Sequence, residues 1–175
     1  MEGLNFKQRL AQVQALVFDV DGVFTDGSIL LLEQGQPVRK MNVRDGYALQ
    51  LAVKRGLPIC IITGGSSEAV AQRFRALGIT DVHLRAHDKL SVLTDFLAGR
   101  DISPEHVLYM GDDMPDLPCL RHVGVPTCPA DAAYEIRDAS IYISPYTGGN
   151  GCVRDVVEQV LKLRGQWAEG DAFGW

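Results

Sequence analysis

The sequence lacks the features that would direct it to a membrane, a nucleic acid or a disulfide framework. No apolar run approaches the ~20 residues that span a bilayer. The opening MEGLNFKQRLAQVQ is polar, without the apolar core and small-residue cleavage site of a secretory signal. A cytoplasmic location with no membrane partner is therefore expected. Basic clusters are absent as well: 17 Lys and Arg stand against 22 Asp and Glu, a formal net charge of −5. That balance argues against a nucleic-acid partner. The four cysteines, Cys60, Cys119, Cys128 and Cys152, form no CxxC pair. Two disulfides would fit the count, but single cysteines in apolar stretches such as PICII read better as reduced core residues. No GxGxxG follows the first apolar strand, which disfavours a dinucleotide-dependent oxidoreductase. Repeats, low-complexity tracts and linkers are missing too, so the 175 residues are expected to form one domain.

What the chain does have is alternation. ALVFDV, from Ala15, is a continuous apolar run ending in acids, the pattern of a strand buried on both faces. LPICIIT, HVLYMGD and the shorter VGVP repeat the form; DVHL is a short strand, and ASIYIS from Ala139 is a last candidate. Helical patterns lie between them. DGYALQLAVKRG stops at Gly56, SSEAVAQRFRALG runs from a Ser66 or Ser67 cap to Gly78, and DKLSVLTDFLAG runs from Asp88 to Gly99. The closing GCVRDVVEQVLKLRG sets Val153, Val156, Val157, Val160 and Leu161 along one face, and a short amphipathic helix is expected near Leu4 to Val13. This order predicts an α/β fold, a Rossmann-like three-layer arrangement of a mostly parallel sheet with helices on both faces. One stretch breaks the rhythm. Between Thr25 and Asp45, SILLL, EQGQ and PVRKMNV read as two strands about a glycine turn, a β-hairpin inserted after the first strand. The tail after Arg164 has no clear period, carries Trp167, Phe173 and Trp175, and is expected to lie outside the regular core.

In an open parallel sheet the carboxyl ends of the strands face the ligand crevice, and the acids gather there. Asp19 and Asp21 close the first strand in DVDG, while Asp112, Asp113 and Asp116 follow HVLYM in GDDMPD. Thr63, Gly64 and Gly65 end LPICIIT ahead of a helix, and Lys89 opens the helix after DVHL. A carboxylate can attack phosphorus and divide hydrolysis into two easier displacements. Two residues on, a side chain returns to the same face, so a second carboxylate can serve the leaving oxygen as general acid. Asp19, Asp112 and a backbone carbonyl can supply the hard oxygens that magnesium prefers. Lys89, Thr63 and backbone amides can meet the charge of a transferring phosphoryl group. Taken singly, DxD, GDD, TGG and a lysine are commonplace turns and caps. Their order, each at a strand end, favours phosphoryl transfer.

FDVDGVFTDG, IITGG, the lysine of HDKL and YMGDDMPDL resemble, in sequence order, the four motifs of the haloacid dehalogenase superfamily of phosphohydrolases. The resemblance covers about residues 15–163. More narrowly, DGVFTDG, the short hairpin, VRDGYAL and the late GGNGCVRD resemble the 3-deoxy-D-manno-octulosonate 8-phosphate phosphatases, a subgroup without a large cap domain whose relatives act on nine-carbon acidic sugar phosphates. This resemblance implies that Asp19 is the nucleophile and a magnesium ligand, and that Asp21 is the general acid/base with its backbone carbonyl on the metal. It implies that Thr63 and Lys89 hold the phosphoryl group with Gly64 in support, that Asp112 is the third metal ligand, and that Asp113 and Asp116 orient Asp112 and Lys89. It further implies a phosphorylated sugar-acid substrate and a homo-oligomer, a tetramer in which neighbouring subunits help close each site.

Thr25, Arg44, Asp45, Gly65 and Arg73 are the candidate substrate contacts; for Arg44 and Asp45 a plain turn and helix cap is the competing reading. Arg154 can bind an acidic sugar or pair with Asp155 or Glu158, and His83, His87, His106 and His122 have no metal-ligand spacing. Gly65 departs from the arginine common at that position in octulosonate phosphatases and from the glutamate of nine-carbon relatives; Asn150 stands where a charge is common. The alternatives are a phosphatase for a nine-carbon keto-sugar acid 9-phosphate, a generic phosphomonoesterase or nucleotidase, and an oligomerisation module without turnover. The intact motif residues speak against the last.

Overall fold

The computed structural model describes residues 3–33, 35 and 37–174. Strands β1 (Ala15–Phe18), β2 (Ile59–Ile62), β3 (Asp81–His83), β4 (Val107–Met110), β5 (Val125–Cys128) and β6 (Tyr142–Ile143) form one six-stranded sheet in the order β3-β2-β1-β4-β5-β6. All its pairings are parallel. The apolar runs explain the burial. Successive side chains of a strand point to opposite faces, so in β1 Leu16 and Phe18 enter one core layer while Ala15 and Val17 enter the other. Helices α1 (Phe6–Leu10), α2 (Val43–Lys54), α3 (Glu68–Ala76) and α7 (Cys152–Leu163) cover the first face; α4 (Lys89–Ala98), α5 (Leu117–His122) and α6 (Tyr134–Ala139) cover the second. Along α7, Val153, Val156, Val157, Val160 and Leu161 are fully buried, the stripe expected from their spacing. The four cysteines are buried free thiols.

Three details differ from the sequence reading. The insert after β1 is not a two-stranded ladder: among the described residues its arms meet at one antiparallel bridge, Leu30 to Val38, with N–H···O distances of 3.2 and 3.0 Å. A two-stranded ribbon with no face to bury is marginal in water, and Leu30, Leu31 and Leu32 are exposed. The second difference is at α2, which begins at Val43 under an Asn42 cap, the Arg44 amide donating to Asn42 Oδ1 at 2.9 Å. Arg44 and Asp45 therefore lie in a first helical turn. Lastly, the tail packs. Trp167 and Ala172 join the first core layer, Tyr47 OH donates to the Ala172 carbonyl, and Arg55 donates to the carbonyls of Gln166 and Glu169 at 3.2 and 2.7 Å. The Phe173 side chain and Trp175 lie outside the described residues. Helices α5 and α6 had no sequence signal, because six residues are too few to show a period.

Candidate active site

The strand order reverses direction about β1 and β4, the switch point where ligands bind in open α/β sheets. Asp19 follows β1 there and Asp112 follows β4, while Thr63 follows β2 and Lys89 opens α4 with Asp88 as its cap. Together these ends wall a cleft of about 530 Å³ lined by Asp19, Asp21, Thr63, Lys89, Asp112 and Asp116, with Gly64, Gly65 and Asp113 at its edge. Gly22 lets the loop after β1 pass: its φ is +82°, and a Cβ there would collide with the Asp112 carboxylate.

Lys89 is the hub. Its ammonium donates to Asp19 Oδ1 and to Asp116 Oδ1, each at 2.7 Å, with all three side chains buried. Asp116 is fixed further by Tyr109 OH at 2.6 Å and by the Asp112 amide, which donates to its other oxygen at 3.2 Å. Burial drives the Asp19 carboxyl above its ordinary value, with the Asp116 charge adding to the effect and Lys89 opposing it. Burial, then Asp116 and Asp113, push Asp112 up to about 7. Burial acts against the Lys89 ammonium, but Asp19 and Asp116 outweigh it and hold its pKa above the ordinary value. One lysine is thus set against three crowded carboxylates.

Such crowding suits a divalent cation. Asp19, Asp112 and Asp116 each place a carboxylate oxygen within 4.8 Å of the others. Asp116 already accepts three hydrogen bonds, close to the four that a carboxylate can take, so Asp19 and Asp112 are the acids with capacity left for a metal. This fits the oxygen donor set of magnesium.

Not every candidate residue reaches the cleft. Thr25 is fully buried, and its hydroxyl accepts from the Gly22 and Gly27 amides at 3.2 Å each, which holds the turn after β1. Asp45 lies buried beneath α7 and accepts from the Arg154 amide at 2.7 Å; burial pushes its carboxyl up to about 6. Arg44 lines a separate surface hollow with Asn150 and Arg154. Arg73 lies against Gly46 and lines another hollow between the insert and α3. Arg154 pairs with Glu158 at 3.1 Å. Three residues had no sequence signal toward the site: Tyr109, whose hydroxyl holds Asp116; His87, which lines the cleft; and Arg39 of the insert, whose guanidinium holds Asp21 at 2.6 and 3.0 Å.

No family model matches the chain. It is 36% identical over 154 residues, 88% of this chain and 82% of the relative, to the 3-deoxy-D-manno-octulosonate 8-phosphate phosphatase of Yersinia pestis. With the phosphatase of the same name from Escherichia coli K12, it shares 36% over 157 residues, 90% of this chain and 84% of that one. The chain belongs to this family. Among solved structures, the family's Moraxella catarrhalis phosphatase, in complex with magnesium, phosphate and KDO, superposes with a TM-score of 0.90 at 35% identity, covering 96% of this chain and 95% of that one. The Yersinia pestis structure gives 0.89 at 35% identity, covering 92% and 87%. The parallel-sheet architecture read from the sequence is thus that of the family.

Proposed function

We propose that this protein is a magnesium-dependent phosphatase that hydrolyses 3-deoxy-D-manno-octulosonate 8-phosphate through an aspartyl-phosphate on Asp19. The observation that carries this reading is the buried Asp19–Lys89–Asp116 constellation beside Asp21, Asp112 and Thr63 in one cleft. Membership of a family of octulosonate phosphatases supports the substrate.

The residues divide the chemistry as follows. An Asp19 oxygen attacks phosphorus while the bond from phosphorus to the sugar oxygen breaks, and Asp21 gives that oxygen its proton. Asp21 then takes a proton from a water that attacks the aspartyl-phosphate, releasing phosphate and restoring Asp19. Lys89, the Thr63 hydroxyl and nearby amides hold the phosphoryl oxygens, and Asp116 keeps Lys89 in place. Asp19, Asp112 and the Asp21 carbonyl would hold magnesium, which would supply positive charge to offset the phosphate and the crowded carboxylates. The 175 residues act as one domain in this reading. No helix among the described residues is long and apolar enough to cross a membrane; a place in the cytoplasm belongs to this proposal. The exposed apolar arm of the insert supports a homo-oligomer, a tetramer whose neighbouring chains wall each cleft.

The test is phosphate release across eight- and nine-carbon keto-sugar acid phosphates, with magnesium and with excess chelator. The octulosonate 8-phosphate should give the highest kcat/KM, and chelation should remove the activity reversibly. A nine-carbon optimum moves the protein to the sister specificity, and no release from any substrate leaves the oligomerisation module.

A further inference from the structure

The insert carries one residue that turns inward. Along residues 37–40, Pro37, Val38 and Lys40 are exposed, whereas the Arg39 side chain is only 9% exposed. Its Nε lies 2.6 Å from Asp21 Oδ1 and its Nη2 lies 3.0 Å from Asp21 Oδ2, the two-pronged geometry that a guanidinium makes with a carboxylate. The head of Arg39 also lies over Gly65. A Cβ built on Gly65 would stand 3.3 Å from Thr63 Oγ1, 3.4 Å from Arg39 Nη2 and 3.6 Å from Asp21 Oδ2, so the three polar groups converge on a residue without a side chain. On one side of the pair is the cleft, to which Asp21 and Gly65 belong; on the other a hollow of about 420 Å³ opens between the insert and α3, lined by Arg39, Met41, Val70 and Arg73.

We propose that Arg39 is a specificity residue that exchanges its grip on Asp21 for the carboxylate of an acidic sugar phosphate. The inference rests on the sugar-acid reading above. While both oxygens of Asp21 accept from the guanidinium, they are engaged and not free to serve a leaving oxygen. A substrate with its own carboxylate offers Arg39 an equivalent partner, so one ion pair replaces another and Asp21 is released to the reaction. A substrate with no carboxylate must break the pair outright, which leaves a partly buried guanidinium without its counter-charge. Arg39 thereby ties turnover to an acid group on the substrate, from an insert too small to form a lid.

The experiment compares kcat/KM for octulosonate 8-phosphate with that for glucose 6-phosphate, which has no carboxylate, in wild type, Arg39→Ala and Arg39→Lys. Arg39→Ala should lower kcat/KM on the acidic substrate at least ~10-fold, the scale of a lost hydrogen bond to a charged group, and raise it on the neutral one. Arg39→Lys, with the charge but not the fork, should fall between. The opposite signs separate this role from a structural one, which would lower both rates together. Equal losses on the two substrates, or an unchanged ratio in a wild type that does prefer the acid, would overturn the proposal alone. A wild type without preference for the acid would overturn the sugar-acid reading along with it.

Discussion

At the scale of single residues, one buried lysine holds two buried acids with a third close by, and that imbalance sets how the site responds to pH. Asp19 and Asp112 have pKa values raised by burial and by neighbouring acids, Asp112 to about 7. Between the ordinary value of 3.8 and about 7 these two carboxyls therefore bind more protons in the folded protein than in the unfolded chain, so their contribution to stability falls as pH rises through this window. Asp19→Asn removes one of these acids with little change of shape. It should lower kcat at least ~10³-fold, because an amide cannot attack phosphorus. With divalent cation chelated, the wild type should lose melting temperature from pH 5 to pH 8, and Asp19→Asn should lose less. Thermal denaturation and phosphate release check the two halves; a variant that keeps a tenth of the wild-type rate would end the covalent mechanism. The motif acids were legible because each closes an apolar strand run. Tyr109 and Arg39 were not. The first hides its polar tip in a strand that reads as core, and the second meets Asp21 from 18 residues away, with no periodicity to announce the pairing.

Among the elements, the strands, the long helices and the short α1 could be read, while the short helices α5 and α6 could not. Strands β1, β2 and β4 are apolar on both faces, and α7 carries its valines at helical spacing, so local pattern and burial agree. The start of α7 shows where such reading stops. Its cap residue is Gly151, which has no side chain to offer the first-turn amides, and Asp45 of α2 takes that place across 109 residues of sequence. The structure thus gives Asp45 a helix-capping bond in place of a position in the cleft. Loss of a capping side chain costs about 0.5–2 kcal/mol. Asp45→Ala should therefore lower unfolding free energy by about that amount in urea titrations, and Asp45→Asn, which keeps an acceptor oxygen, should lower it less. A KM increase with unchanged stability would return Asp45 to the substrate. Among the described residues the insert keeps one antiparallel bridge of its hairpin for a related reason: alternation and a glycine turn specify a full ribbon only where one face has something to pack on.

For the molecule as a whole, the question is what covers that unpacked face. Ile29, Leu30, Leu31 and Leu32 are 47%, 62%, 78% and 53% exposed, and Val38 and Val43 add 44% and 65% beside them in sequence. Clustered apolar exposure of this kind marks an interaction surface more often than scattered single residues do. The tail, expected from the sequence to lie outside the regular core, leaves little apolar surface for a second chain at Trp167 and Ala172, which pack on their own core. The apolar surface open to self-association is therefore that of the insert. Closed symmetry is the rule for soluble homo-oligomers, and the tetramer we propose would bring four such arms together and set neighbouring chains over the clefts. That arrangement also serves the chemistry, because ion pairs and phosphoryl contacts strengthen where water is excluded. Light scattering at micromolar concentration should give a mass four times that of the chain. The double substitution Leu30→Glu with Leu31→Glu should split the assembly and raise KM. A wild-type monomer with full activity would overturn this account, and a dimer would remove its four-armed version.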